Sequence, residues 1–161
     1  MTSPGLLMES CVRLAQPSDL RGLAPLLAAL WPESPAEEHA RELELILAGK
    51  APGTLPLVIF VAEDRDGSVV GFLECGLRSH AESCNPSRPV GYVEGWYVAA
   101  GYRRRGIGKS LLAAGEEWAR RQGCLEMASD ALSDNTLSQD VHQRLGFEVV
   151  EHSVHFRKAL R

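Results

Sequence analysis

The segment with the strongest chemical signal is VEGWYVAAGYRRRGIGKSLL, which runs from Val93 to Leu112. An apolar strand leads into a loop that carries three consecutive arginines, Arg103–Arg105, and Lys109 follows shortly after. Gly106 and Gly108 punctuate this loop, and glycine lets backbone N–H groups approach a ligand closely. The amphipathic helix that begins here adds unpaired N–H groups and partial positive charge at its N-terminus. The pattern predicts a cradle for a pyrophosphate.

Three interpretations of this loop compete. A nucleotide-binding P-loop needs Gly-x-x-x-x-Gly-Lys-Ser/Thr. Gly108, Lys109 and Ser110 supply its end, but Arg103 stands where the first glycine belongs. The second interpretation is structural: a basic, solvated turn that caps a helix. The third is Arg-x-x-Gly-x-Gly, formed by Arg103, Gly106 and Gly108, and it resembles the acetyl-coenzyme A (acetyl-CoA) signature of the GNAT superfamily of N-acetyltransferases.

Features further along the chain favour the third interpretation. In that family a second βα unit follows the loop and ends in a Gly-Phe pair, and here Leu145-Gly146-Phe147 follows a predicted helix that begins near Asn135. The resemblance implies acetyl-CoA as co-substrate and no metal ion. It also implies cofactor contacts at a strand end, in the loop and at the later helix: Trp96, Tyr97, Val98, Arg103, Arg104, Arg105, Gly106, Ile107, Gly108, Lys109 and Asn135.

A narrower resemblance concerns the acceptor. Several strings are similar to one branch of aminoglycoside 6'-N-acetyltransferases, enzymes that inactivate aminoglycoside antibiotics: Leu30-Trp31-Pro32, Glu94-Gly95, residues 126–130 (EMASD), Asn135-Thr136, residues 141–143 (VHQ) and residues 145–148 (LGFE). The resemblance implies four drug contacts: Trp31, Glu94, Asp130 and Glu151. Carboxylates suit such a ligand because aminoglycosides are polycations. This branch is often dimeric, with the C-terminal strands helping to form the contact, so we expect a homodimer.

Each of these acceptor candidates also has a structural interpretation. The carboxylates could pair with Arg78, Arg88 or Arg157, or simply face water, because acidic residues in such places are often structural. Trp31 precedes Pro32 at a predicted helix end, where an indole is nearly as suitable for anchoring a core as for covering a sugar ring. Both interpretations stay open at this point.

The resemblance implies direct attack of an acceptor amine on acetyl-CoA within a ternary complex. Glu94 and Asp130 are candidates to take the proton of the amine, directly or through water. His142 stands where many family members carry a tyrosine that protonates the leaving thiolate, and its spacing from Asn135 puts both on one helix face. Phe156 stands where a second tyrosine is sometimes proposed, and it has no hydroxyl. Two other functions remain open: acetylation of a protein, peptide or polyamine amine, and non-catalytic acyl-CoA sensing.

The predicted elements would position these residues around one sheet. Their order is β, α, α, β, β, β, α, β, α, β, β, which indicates an α+β domain. The resemblance implies a mixed, mostly antiparallel central sheet that is splayed around acetyl-CoA and flanked by about four helices. Predicted strands cover residues 11–15, 57–63, 69–77, 90–99, 125–128, 147–150 and 154–156, and predicted helices reach from the turn at residues 16–19 to about residue 31 and cover residues 36–48, 106–122 and 135–145. Residues 1–10 are predicted to be a flexible tail and residues 11–161 a single domain.

Composition excludes several classes of protein. The chain has 161 residues, of which 45% are hydrophobic, and its net charge is −4, so one folded domain is expected and general nucleic-acid binding is not. No apolar run approaches the ~18 residues of a membrane span. The N-terminus does not resemble a signal peptide, so we expect a cytoplasmic protein. The four cysteines show no metal-ligand spacing.

Overall fold

A five-stranded sheet organises the residues that the computed structural model describes, which are 11–51, 53 and 55–160. Its strands lie in chain order: β1 (Cys11–Leu14), β2 (Leu57–Glu63), β3 (Val69–Arg78), β4 (Val90–Val98) and β5 (Met127–Ser129). Neighbours from β1 to β4 are antiparallel, whereas β5 is parallel to β4. The predicted mixed, mostly antiparallel sheet of an α+β fold is confirmed.

Helices cover both faces of this sheet: α1 (Leu20–Leu30), α2 (Ala36–Leu47), α3 (Ile107–Arg121) and α4 (Thr136–Arg144). On one face, Leu27 of α1 and Leu43 of α2 pack in one buried cluster with Phe72. On the other face, Leu111 of α3 packs in a second cluster with Leu73. Because side chains alternate along a strand, adjacent residues of β3 belong to opposite cores.

β4 is interrupted by a β-bulge at Glu94. Glu74 of β3 pairs with Gly95, and the next residue, Cys75, pairs with Val93, so Glu94 is the extra residue. A bulge kinks its strand and increases the local twist. The pairing of β4 with β5 stops at Val93, so the two strands part directly beyond the bulge. This opening is the splay that the resemblance predicted.

The backbone of β4 beyond the bulge has one free edge. The N–H of Ala99 donates to the carbonyl oxygen of Val70 at 2.9 Å, so it is directed toward β3. Because the hydrogen-bonding direction alternates along a strand, the N–H groups of Trp96 and Val98 are directed into the opening. β5 has no residue opposite them. Two backbone donors are therefore available at the mouth of the opening.

The helix predictions agree with the structure to within about two residues, the usual uncertainty of helix ends. The apolar spacing of the first helix is confirmed, since Leu23 and Leu27 are fully buried. On α4, however, Leu137 is 62% exposed, although its spacing from Val141 and Leu145 is typical of a buried helix face. β5 begins two residues later than predicted.

The predicted closing hairpin is wrong. Residues 147–160 form no strand, and Val150, Val154 and Phe156 are 57%, 76% and 93% exposed. Alternating apolar residues are typical of a strand, but residues 147–160 pair with neither of the two outer strands of the sheet, β1 and β5. Among residues 11–51, 53 and 55–160, none covers these exposed apolar side chains.

Two further predictions concern the limits of the chain. The predicted tail, residues 1–10, lies outside the described residues, and the single domain over residues 11–161 stays a prediction. Among the helices described, none is both long enough and apolar enough to span a membrane.

Candidate active site

The basic loop forms an open turn at the start of α3. Gly106 is the N-cap residue with a φ of 81°, and Arg104 has a φ of 61°. No side chain among the described residues caps the helix, so the N–H groups of its first turn are free to bind an anion. A Cβ added to Gly106 would meet no heavy atom within 4 Å. The turn therefore offers both the donors and the room that a pyrophosphate needs.

The arginines of the loop do not all serve the same purpose. Arg103 donates from Nε to the carbonyl oxygen of Val98 at 2.8 Å, and its guanidinium lies 5.3 Å from the centre of the Tyr97 ring. Arg103 therefore ties the loop to the end of β4. Arg104, Arg105 and Lys109 are exposed, and the Arg105 guanidinium lies 5.4 Å from the centre of the Tyr102 ring. Arg104 and Lys109 make no hydrogen bond or ion pair with a described residue.

Trp96 and His142 form an aromatic contact between β4 and α4. Their ring centres lie 5.3 Å apart in an edge-to-face arrangement, and the Trp96 indole packs under Gly108. The Nδ1 atom of His142 lies 2.7 Å from the Ser138 carbonyl oxygen. A carbonyl oxygen can only accept, so Nδ1 carries a proton. In the neutral ring, Nε2 then accepts a hydrogen bond from the Ser129 hydroxyl at 2.8 Å.

Asn135 begins α4 as its N-cap residue. Its side-chain oxygen accepts a hydrogen bond from the backbone N–H of Ser138 at 3.1 Å. An N-cap asparagine stabilises the helix start by satisfying one orphan donor. The amide nitrogen of Asn135 has no hydrogen bond with a described residue, so it remains available to a ligand.

The carboxylates of Glu94 and Asp130 belong to one polar network. Arg78 donates to Glu94 from Nε at 2.9 Å and from Nη2 at 2.7 Å, and the same guanidinium lies 3.4 Å from the centre of the Tyr92 ring. The Tyr92 hydroxyl in turn donates to Asp130 at 2.8 Å. Burial first, and then the hydrogen bond to Asp130, raise the pKa of Tyr92 to about 12. The structural interpretation of Glu94 as a partner of Arg78 is therefore confirmed.

This ion pair does not remove Glu94 from the candidate site. The Arg78 side chain is 44% exposed and that of Glu94 29% exposed, so an incoming cation can reach the pair from solvent.

Trp31 ends α1 and covers β4 at the residue after the bulge. A Cβ placed on Gly95 would come within 2.5 Å of the Trp31 ring, so only glycine fits under the indole. The ring stacks on His39, with centres 5.9 Å apart, and lies 6.4 Å from the ring of Phe72. Both earlier interpretations of Trp31 are compatible with this place, because the half-buried indole anchors α1 and also borders Glu94.

Comparisons with known proteins bear on this geometry. The sequence model of the Acetyltransferase (GNAT) family matches residues 21–147. The chain belongs to this family. The aminoglycoside N(6')-acetyltransferase type 1 of Klebsiella aerogenes is 38% identical over 149 residues, which cover 92% of this chain and 96% of the relative.

Solved structures agree with the family assignment. A structure of the enzyme AAC(6')-Iy in complex with the bisubstrate analogue CoA-S-monomethyl-acetylneamine superposes with a TM-score of 0.84 at 37% identity, covering 94% of this chain and 99% of that one. Another structure of AAC(6')-Iy, in complex with CoA, has a TM-score of 0.85 at 35% identity and covers 99% and 100% of the two chains. This GNAT protein is an acetyl-CoA-dependent N-acetyltransferase, and acetyl-CoA is its co-substrate.

Most predicted site residues of the acetyltransferase lie around the opening between β4 and β5. The loop, Trp96 and His142 lie at one side of it, whereas Trp31, Glu94 and Asp130 lie toward the other. Glu151 is different, because it is exposed in the segment that forms no strand and makes no hydrogen bond or ion pair with a described residue. Its predicted role, like the roles of the other site residues, stays a prediction.

Sequence reasoning missed one acidic residue of the acetyltransferase. Glu74 lies inside β3 opposite Gly95 and is only 7% exposed. The string FLECG shows an acid within an apolar strand, which was a usable signal, since an acidic residue is rarely buried without a partner.

Proposed function

We propose that this acetyltransferase transfers an acetyl group from acetyl-CoA to the 6'-amine of aminoglycoside antibiotics. The observation that carries the proposal is the cluster of carboxylates, Glu94 and Asp130, beside the opening of the sheet and opposite the cofactor loop. A polycationic acceptor needs such groups. The named relatives support the same acceptor, since the Klebsiella aerogenes protein is called an aminoglycoside N(6')-acetyltransferase.

The proposed mechanism is direct attack within a ternary complex. The uncapped turn at Gly106 and the cations Arg104 and Lys109 would bind the pyrophosphate of acetyl-CoA. The N–H groups of Trp96 and Val98 would donate to the thioester carbonyl oxygen, where negative charge develops. The acceptor amine and the thioester carbon would be held together in the opening. Such orientation can supply much of the rate enhancement.

The acceptor amine must lose its proton before it attacks. Glu94 or Asp130, directly or through water, is proposed to take that proton. Carboxylates that hydrogen-bond to an ammonium also favour its charged form, so binding and proton removal oppose each other. The leaving thiolate then needs a proton, and its ordinary pKa, about 8.5 for a thiol of this type, lets solvent supply one near neutral pH.

One assay tests this proposal against its alternatives. Release of CoA thiol from acetyl-CoA is measured with kanamycin and tobramycin, with spermine and with a lysine-rich peptide. We expect turnover with the aminoglycosides and a product acetylated at the 6'-nitrogen. Turnover with only the polyamine or the peptide would mean that the acceptor is an amine of that kind and not an aminoglycoside. Binding of acetyl-CoA without turnover of any amine would make the protein an acyl-CoA sensor.

The proposal includes a homodimer. It is supported by the C-terminal segment, residues 147–160, whose exposed valines and Phe156 are suited to burial against a second copy. We also propose that the enzyme works in the cytoplasm, where acetyl-CoA is available. For the homodimer, light scattering during size-exclusion chromatography at micromolar concentration is expected to give the mass of a dimer. The mass of a monomer would reject the proposed homodimer.

A further inference from the structure

The Glu74 carboxylate is buried without a partner. The side chain is 7% exposed, yet it makes no hydrogen bond and no ion pair with any residue that the structure describes. A carboxylate that has lost most of its water and has gained no partner is costly to the folded state. A protein that retains such a group gains little stability from it, so an external partner is the simplest account.

The position of Glu74 puts it between two acceptor-site candidates. Its pairing partner on β4 is Gly95, and directly opposite residues project on the same face of a sheet. That face at Gly95 is covered by the Trp31 ring. Two residues along β3, a Cβ on Gly76 would lie 3.8 Å from Oε1 of Glu94. Glu74 therefore lies on one face of the sheet, with the Trp31 indole on one side and the Glu94 carboxylate on the other.

The charges around Glu74 are mostly negative. Burial first, then Glu42 of α2 and Glu94, raise the pKa of Glu74 from its ordinary 4.5 to about 7. The nearby cation Arg78 is engaged by Glu94. On α2, His39 has its Nε2 atom 3.1 Å from the Trp31 carbonyl oxygen. The chain thus supplies no described cation that binds Glu74.

We propose that Glu74 is a further acceptor-binding residue, whose carboxylate binds an ammonium group of the polycationic acceptor together with Glu94. The proposal rests on the proposed function and deepens it by adding a further carboxylate, one that is mostly buried before the ligand arrives. An ammonium would supply the missing partner of Glu74 and offset the repulsion among the neighbouring acids. The bordering Trp31 ring limits how the sugar that carries the ammonium can enter.

Glu74→Gln tests this role because it keeps the size of the side chain and removes its charge. We expect kcat/KM for kanamycin to fall by at least roughly tenfold, the size of a lost charge-assisted hydrogen bond, with most of the change in KM. The affinity for acetyl-CoA, measured by calorimetry, should be unchanged. Glu74→Asp should recover part of the loss. The matched control is Glu44→Gln, an exposed acid of α2 near the start of α1, and it should behave as wild type.

The dependence of kcat/KM on pH distinguishes a role of Glu74 in binding the acceptor from a purely structural role. The ratio of wild-type to Glu74→Gln kcat/KM should be large at about pH 8 and approach one near pH 5.5, because kcat/KM follows ionisation in the free enzyme. Equal kcat/KM for the two proteins, a ratio that does not change with pH, or a parallel loss of acetyl-CoA affinity would each overturn the role of Glu74. A wild type that neither binds nor acetylates any aminoglycoside would overturn the proposed function as well.

Discussion

At the scale of single residues, the proton on His142 bears on its proposed catalytic role. The Ser138 carbonyl holds the proton on Nδ1 and Nε2 accepts from Ser129, so in the neutral ring the one N–H is engaged and Nε2 carries no proton to give to a thiolate. We therefore expect His142→Ala to lower kcat by about tenfold or less, below the usual range for general acid catalysis. Steady-state kinetics with kanamycin measures this. A loss of a thousandfold or more would show that His142, once protonated, is an essential acid.

Glu74 also sets a pH dependence of stability. Its folded-state pKa, about 7, lies above the ordinary value of 4.5, so the folded protein binds this proton more tightly than the unfolded chain. Its contribution is therefore most favourable below about pH 4.5 and is lost as pH rises to about 7. The shift corresponds to about 3 kcal/mol.

The expected result is that Glu74→Gln is more stable than wild type at pH 8, and that this advantage shrinks toward pH 4.5. Urea unfolding at several pH values measures the difference in the free energy of unfolding. A variant that is less stable than wild type at every pH would mean that the carboxylate has a stabilising partner in the folded protein.

The sequence predicted part of this site and not the rest. Glu94 and Asp130 were predicted as acceptor contacts because the short strings around them resemble one branch of aminoglycoside 6'-N-acetyltransferases, and these roles stay predictions. Glu74 was not singled out, although it is an acid within an apolar strand, because its burial and its lack of a partner are properties of the packed structure that strand spacing does not report. The sequence also left undecided which arginine pairs with Glu94. The bulge determines where Glu94 projects, and therefore that it forms a bidentate contact with Arg78.

At the scale of elements, α3 packs closely against the sheet at Gly115, where the absence of a side chain leaves room for Leu73. A Cβ on Gly115 would clash with the Leu73 side chain, which is fully buried. Gly115→Val should lower the free energy of unfolding by about 1–3 kcal/mol, the usual cost of overpacking. The control is Gly101→Val, where a Cβ would meet nothing within 4 Å, and it should stay within about 0.5 kcal/mol of wild type. Equal denaturation midpoints for the two variants would show that α3 can shift away from the sheet.

The elements themselves were largely predictable. Leucines at helical spacing located α1, because they match the period of a helix. A run rich in β-branched residues located β2, and the Asp66-Gly67 turn located β3 as the returning strand. The splay of the sheet was expected only from the resemblance, since the single extra residue of a bulge leaves no mark on the hydrophobic pattern. The hairpin at residues 147–156 failed because its alternation is a property of the segment, whereas pairing also requires a second strand.

At the scale of the whole molecule, the C-terminal segment, residues 147–160, carries several apolar side chains that remain exposed in the described part of the chain. Phe156 is 93% exposed, and burying such a side chain contributes about 1.5–3 kcal/mol. Phe156→Asp should therefore weaken the proposed dimer by more than roughly tenfold. Sedimentation equilibrium measures the dissociation constant, and His155→Asp, an exposed neighbour, is the control. Dimers of equal strength in both variants would place the contact elsewhere on the molecule.

The bulge at Glu94 makes the gene sensitive to the loss of one codon in an unusual way. Without Glu94, the pairs Glu74–Gly95 and Cys75–Val93 would follow each other as in a regular ladder, so the shortened chain should fold with a melting temperature close to that of wild type. The kink that parts β4 from β5 would be lost, and acetyl-CoA binding would be lost with it.

Glu94→Ala keeps the extra backbone residue and should still bind acetyl-CoA. Calorimetry on the two variants therefore distinguishes the effect of the bulge on acetyl-CoA binding from the effect of the Glu94 charge. Strong acetyl-CoA binding by the deletion variant would show that the opening does not depend on the bulge. A frame-preserving deletion could thus silence the enzyme while leaving a stable, abundant protein in the cell.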